Sequence, residues 1–273
     1  MRPPNQPAER GDYLVQSNWS LSYSVSNDDA VVVTSAQYKG STVFAKAAIP
    51  YIKVTYTDPA DYNGSLFDQL GTGNGTYRND LQKINVTNGF ELRASFVFGS
   101  WPNDGSYKYV QHYFFWTDGS FQVAVDVYGP GFGPSAHYTT MWRIDFDIRG
   151  ASSDELRQWT SAWTLRPTEG KFIDDGTHAP AGSEWANNNE VSGQDATYFT
   201  KPYSPDSAYL YGVRWRSGEE GGGTNGTVWP STYVNGESIN VADIVDWYEA
   251  HSYPCSSSNI CYPGPHPYVQ NGY

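Results

Sequence analysis

Runs of alternating apolar and polar residues recur along the chain, and the clearest group lies between Ser106 and Ile148. Phe121, Val123, Val125 and Val127 alternate with Gln122, Ala124 and Asp126. Trp142, Ile144, Phe146 and Ile148 alternate with Arg143, Asp145 and Asp147 in the same way. A period of two gives a strand one face for a core and one for water or tight polar packing. An aromatic run, Ser106–Trp116, comes before both, and between it and Phe121 the pair Asp118-Gly119 is a hairpin signal, because both residues tolerate the positive φ that a tight turn needs. The expectation is three neighbouring antiparallel strands in the middle of a large sheet.

The rest of the chain extends this pattern. Asp12–Ser26 reads as a strand, with strict alternation from Trp19 to Val25. Ala30–Tyr38 and Ser41–Pro50 read as strands joined at Lys39-Gly40, followed by Ile52–Tyr56 and Phe90–Phe98. The segment from Asp58 to Asn88 is rich in turn residues and predicts loops. Ser153-Asp154-Glu155-Leu156 is the one short helical signal, with a capping residue ahead of the first turn. Trp159–Pro167 predicts a strand. Glu169–Gln194 is polar and Gly/Asn-rich, which predicts a long surface loop. Ile239–His251 fits a strand or a short helix. No internal repeat or clean boundary appears. The predicted organisation is an extended arm at 1–11, a single β-sandwich domain at 12–254, and a Pro/Gly/Tyr-rich tail at 255–273.

Composition supports an all-β reading. Aromatic residues make up 16% of the 273 residues, with 22 Tyr and 10 Trp, and charged residues only 17%. Tyr, Trp, Gly and Pro at this level suit many strands and turns. A net charge of −12 argues against nucleic acid as a partner, since binding phosphates needs a basic surface. No stretch of about 18 apolar residues exists, so no membrane span is expected. Met1–Gly11 has no apolar centre and does not read as a leader. Five Asn-x-Ser/Thr sequons, at Asn18, Asn63, Asn74, Asn85 and Asn225, nevertheless fit a secreted, extracellular glycoprotein. Cys255 and Cys261 enclose five residues and suggest a small local disulfide. A removed leader, or excision from a longer precursor, reconciles these features.

Several segments, in order, resemble the large C-terminal β-sandwich of copper amine oxidases. Trp19-Ser20-Leu21-Ser22-Tyr23 through Ile49-Pro50-Tyr51, with Asp58-Pro59 after it, is similar to that family's opening strands. Phe67-Asp68 resembles the Phe-Asp at its catalytic base. Ser106-Tyr107-Lys108-Tyr109 followed by Asp118-Gly119-Ser120 resembles its cofactor strand and hairpin. Arg143-Ile144-Asp145 resembles its Arg-Leu-Asp. Thr200–Asp206 with Tyr209, then Gly236–Tyr248, follows its closing pattern. The resemblance spans about Gly11 to Pro254, with fewer residues between Asp68 and Tyr107 than in the family. It implies a large antiparallel β-sandwich, or supersandwich, with long loops. It also implies a domain through which family members commonly dimerise, so a homo-oligomer is one expectation.

The resemblance implies specific chemistry. In the family, copper on three imidazoles drives oxidation of a tyrosine to a quinone. The quinone captures a primary amine, and an Asp removes a proton from the substrate carbon. Tyr107 falls at the quinone position, flanked by Ser106 and Lys108 where the family has Asn and an acid. Asp68 falls at the base. The family's His-x-His falls on Ala136 and Tyr138, and His137 between them points to the opposite face of a regular strand. His251 corresponds to the third ligand. His112 is out of step with Tyr107, and His178 and His266 read as surface residues.

Three functional readings follow. The preferred one is a secreted, glycosylated relative without the copper–quinone site, acting as a binding or assembly glycoprotein with no cofactor; exposed Tyr and Trp suit glycan or protein neighbours. The second is a copper- and quinone-dependent primary amine oxidase with a site reorganised around His137, His251 and His112. The third is a metal-independent enzyme on the same sandwich, using Asp68 or Tyr107. Fold alone does not separate them.

Overall fold

A computed structural model describes residues 12–148, 150–152, 154–174, 185–189, 196–200, 208–219, 229–252 and 268–271. Strands, numbered in chain order, form two nine-stranded sheets in which all neighbouring strands are antiparallel. Sheet I runs β1 (Asp12–Gln16), β2 (Trp19–Val25), β3 (Val31–Tyr38), β4 (Ser41–Tyr56), β10 (Ala136–Phe146), β17 (Ile244–Ser252), β16 (Ala208–Arg214) and β13 (Gly170–Asp174). Short β5 (Ser65–Asp68) adds to β4. Sheet II runs β12 (Trp163–Leu165), β11 (Asp154–Trp159), β14 (Trp185–Asn189), β15 (Ala196–Thr200), β18 (Tyr268–Asn271), β9 (Phe121–Tyr128), β8 (Tyr107–Trp116), β7 (Gly89–Phe98) and β6 (Gln82–Val86).

Alternation explains the core. Phe121, Val123, Val125 and Val127 of β9 share one buried cluster with Trp142, Ile144 and Phe146 of β10 and with Ile148 just beyond it. Trp19 packs edge-on to Phe115, with ring centroids 5.0 Å apart, and Tyr113 edge-on to Trp142 at 5.7 Å. These contacts hold sheet I against sheet II. Burial of apolar surface at about 25 cal/mol per Å² drives this closure. Gln111, buried within it, is satisfied: it accepts the Val31 N–H at 2.7 Å and donates to the Val31 carbonyl at 3.1 Å. A smaller apolar cluster, including Tyr51, Met141, Tyr211 and Trp247, covers part of the outer face of sheet I.

The structure corrects several expectations. Strands β8 and β9 form the hairpin signalled by Asp118-Gly119, with Gly119 at φ +91° and no room for a Cβ beside the Tyr38 ring. Their expected third partner, β10, lies instead in sheet I between β4 and β17. Alternation fixes which face is apolar but not which strand lies alongside. Ser41–Tyr56 is one strand rather than two. It passes through Pro50 where the β4–β10 register shifts, as proline requires inside a sheet. The helical signal at Ser153–Leu156 fails: Asp154–Trp159 is β11, and the Asp154 backbone pairs with Ala242. The expected strand Trp159–Pro167 is cut back to β12, and Ile244–Ser252 is a strand. Segments read as loops contain β5, β6, β13 and β14. Tyr268–Asn271, inside the segment read as a tail, forms β18. No helix among the described residues is long and apolar enough to cross a membrane.

Candidate functional site

Tyr107 and Tyr109 are two residues apart on β8, so both point inward, and their rings stack at 6.3 Å. Sheet I faces them with Tyr56 at the end of β4, Asp68 at the end of β5 and Tyr138 on β10. Tyr56 and Tyr107 share a hydroxyl–hydroxyl hydrogen bond. The Phe132 N–H donates to the Tyr56 oxygen at 2.9 Å. The loop carrying Phe132 comes this close because Gly131, at φ +58°, has no side chain; a Cβ there would lie 2.6 Å from the Tyr56 oxygen. The Tyr109 hydroxyl donates to Asp68 Oδ2 at 2.5 Å. Tyr138 stands edge-on to both β8 tyrosines, each at 6.2 Å, and its buried hydroxyl has no hydrogen-bond partner among the described residues.

Burial sets the electrostatics. It pushes the Asp68 carboxyl up to about 6, although the Tyr109 hydrogen bond pulls the other way. Burial also raises Tyr107, Tyr109 and Tyr138, with nearby Asp68 adding repulsion against any phenolate. The site therefore holds neutral phenols around one carboxyl that changes charge near pH 6.

The histidines lie elsewhere. The β4–β10 register is regular through Ala136, His137 and Tyr138, so no bulge turns His137 inward. Ala136 and Tyr138 face the core, whereas His137 stacks on His251 on the outer face of sheet I, with centroids 5.3 Å apart. His251 lies opposite Thr139, with Nδ1 3.2 Å from Thr139 Oγ1 and Nε2 3.4 Å from Glu249 Oε1. Glu249 also accepts the Tyr211 hydroxyl at 2.5 Å and lies 3.5 Å from Lys171 Nζ. Burial works against the Glu249 charge, but the His251 and Tyr211 hydrogen bonds and Lys171 hold its carboxyl below the usual range. His112 lies on the outer face of sheet II, between Glu91 and Asp126. The structure thus brings Asp68 near Tyr107 through Tyr109, and His137 to His251, but leaves the sheet between the two pairs. His178, His266, Cys255, Cys261 and Asn225 lie outside the described residues. Asn18, Asn63, Asn74 and Asn85 are all exposed.

Imidazole suits Cu(II), and the groups facing Tyr107 are phenols and a carboxyl. None of the described histidines faces it. That donor set does not fit a copper ion on three imidazoles.

A second cluster escaped the sequence reading. Asp145, Asp147 and Asp243 bring carboxylate oxygens within 4.8 Å of one another, a set that could hold a hard, oxygen-seeking cation. Burial raises Asp147 to about 6 and, with repulsion from neighbouring acids, buried Asp154 to about 10. Alternation of Asp145 and Asp147 was visible in the sequence, but the approach of Asp243 across β10 and β17 was not.

A scan against known protein families finds no match, and no curated protein sequence matches. Solved structures do. The chain is similar to Pichia pastoris lysyl oxidase, PPLO, over 99% of its own length and 54% of that chain, with a TM-score of 0.65 and 12% identity. An Aspergillus nidulans amine oxidase matches over 99% and 55%, with a TM-score of 0.59 and 14% identity. A copper-containing benzylamine oxidase from Hansenula polymorpha matches over 98% and 62%, at 0.57 and 12%.

This is the copper amine oxidase β-sandwich fold. The chain spans between about half and two thirds of the length of these oxidases. On this fold Tyr107, Asp68, Ala136 and Tyr138 are all buried between the sheets, and His137 faces outward.

Proposed function

We propose that this chain is a secreted, glycosylated copper amine oxidase-like domain that has lost the copper–quinone site and serves as a binding or assembly glycoprotein. The observation that carries the reading is the parity of β10: Ala136 and Tyr138 face the Tyr107 cluster, and His137 and His251 meet on the opposite face. Four exposed sequons support the glycoprotein part. Elemental analysis and a quinone stain of protein made in a glycosylating host test the reading. The expected result is no retained copper, an unmodified Tyr107 peptide by mass, and a mass shift on glycosidase treatment. Copper near one ion per chain with a quinone-positive band would overturn it.

One observation favours a second reading, a metal-independent enzyme. Asp68, raised to about 6 beside Tyr109, has the proton affinity of a general base working near neutral pH. Turnover abolished by Asp68→Asn in a protein without copper would support it over the first.

A further inference from the structure

Sheet II carries on its outer face a concave site of about 450 Å³, within the range of roughly 300–1,000 Å³ usual for small-molecule sites. It is built by outward residues of β6 to β9 and the loop before β6. Its floor is a fixed charge network. Arg93 donates through two nitrogens to Glu91, both at 2.7 Å. His112 Nδ1 lies 2.6 Å from Glu91, and Nε2 lies 3.3 Å from Asp126 Oδ2. Burial pulls the imidazole down, but the two carboxylates outweigh it and favour the charged form. Two basic groups thus face two carboxylates, and their hydrogen bonds hold the floor in place.

The walls differ. On one side the Lys108 ammonium rests over Trp101 at 4.9 Å and Tyr128 at 5.5 Å. The Trp101 indole is fixed by donating to the Gly129 carbonyl at 2.8 Å. Lys108 has no carboxylate partner among the described residues. On the other side Asp80 accepts the Ser95 N–H through Oδ1 at 2.8 Å, beside the amide of Gln82. Val110 is the one aliphatic side chain in the lining.

This arrangement selects a ligand class. With Val110 as its one aliphatic side chain, the lining favours a polar ligand over an apolar one. Carboxylates held by the Ser95 N–H and by His112 suit a row of hydroxyls, and an aromatic shelf suits the face of a pyranose ring. An ammonium without a carboxylate partner calls for an anionic group on the same ligand. We propose that this groove binds an acidic saccharide, its carboxylate on Lys108, its ring against Tyr128, and its hydroxyls on Asp126 and Asp80. The inference names a ligand for the binding role proposed above and rests on that reading.

Saturation-transfer NMR and calorimetry with trigalacturonate, its methyl ester and galactotriose test it. The acid form should bind at least tenfold more tightly than either neutral trimer, and the difference should shrink as salt rises. Lys108→Met should remove that preference, and Asp126→Asn should weaken all three ligands; unchanged melting curves show that the variants fold. Equal binding of acid and ester, no transfer to any trimer, or an unchanged preference in Lys108→Met would overturn the proposal. Copper and quinone analysis of the same sample reads the wider function separately: a positive result there with selective binding intact would overturn the loss of oxidase chemistry and leave the groove standing.

Discussion

On β10, two adjacent residues meet opposite surroundings. Tyr138 enters a cluster of phenols around one buried carboxyl, where every charge is discouraged and its own hydroxyl is unsatisfied. His137 enters an outer face of imidazole, carboxylate and ammonium groups, where the buried Glu249 charge is paired with Lys171 and His251. A single residue step therefore decides whether a side chain belongs to the sandwich interior or to its skin. The contrast teaches that the chemistry available to Tyr107 is set by strand parity more than by the number of histidines in the chain.

Three measurements can break or sharpen that contrast. Tyr138→Ala opens a cavity between the sheets and should cost about 3–5 kcal/mol in urea unfolding. Tyr138→Phe removes only the unsatisfied hydroxyl and should be neutral or stabilise by about 1 kcal/mol. Loss of stability in Tyr138→Phe would mean that the hydroxyl has a partner after all.

The second measurement is pH dependence. The folded Asp68 carboxyl is raised to about 6 from an ordinary value of 3.8, so the native state holds the extra proton between those values. Stability from this group is then greatest below about pH 4 and falls as pH rises towards 6, by on the order of 2–3 kcal/mol. Asp68→Asn should flatten that part of the profile; an unchanged slope would show that Asp68 is not the titrating group.

The smallest effect belongs to the outer face. His137→Ala removes one half-buried ring of the stacked pair and should change stability by less than about 1 kcal/mol. A loss comparable to that of Tyr138→Ala would erase the distinction between the two faces.

Much of this was legible in the residues, though unevenly. Face assignment came through because period two survives any partner: the inward set of β9 and β10 and the outward His137 follow from alternation alone. Partner assignment did not, because β10 leaves β9 through the turn at Gly129–Ser135 and joins the other sheet. At Asp154 a local helix-capping signal lost to backbone pairing with Ala242, a contact 88 residues away that no local propensity encodes. β5, with four residues, is too short to show a period, yet it carries Asp68. His251 read equally as helix or strand, so its face was open until β17 was placed against β10.

The position of β18 has a consequence for the whole molecule. Among the described residues, Tyr268–Asn271 is the strand that links β15 to β9, with four described strands on either side of it. Four residues thus act as a keystone. Without it, β15 and β9 would each present a raw edge and sheet II would stand as two half-sheets, so the breadth of one wall of the sandwich hangs on a single short segment.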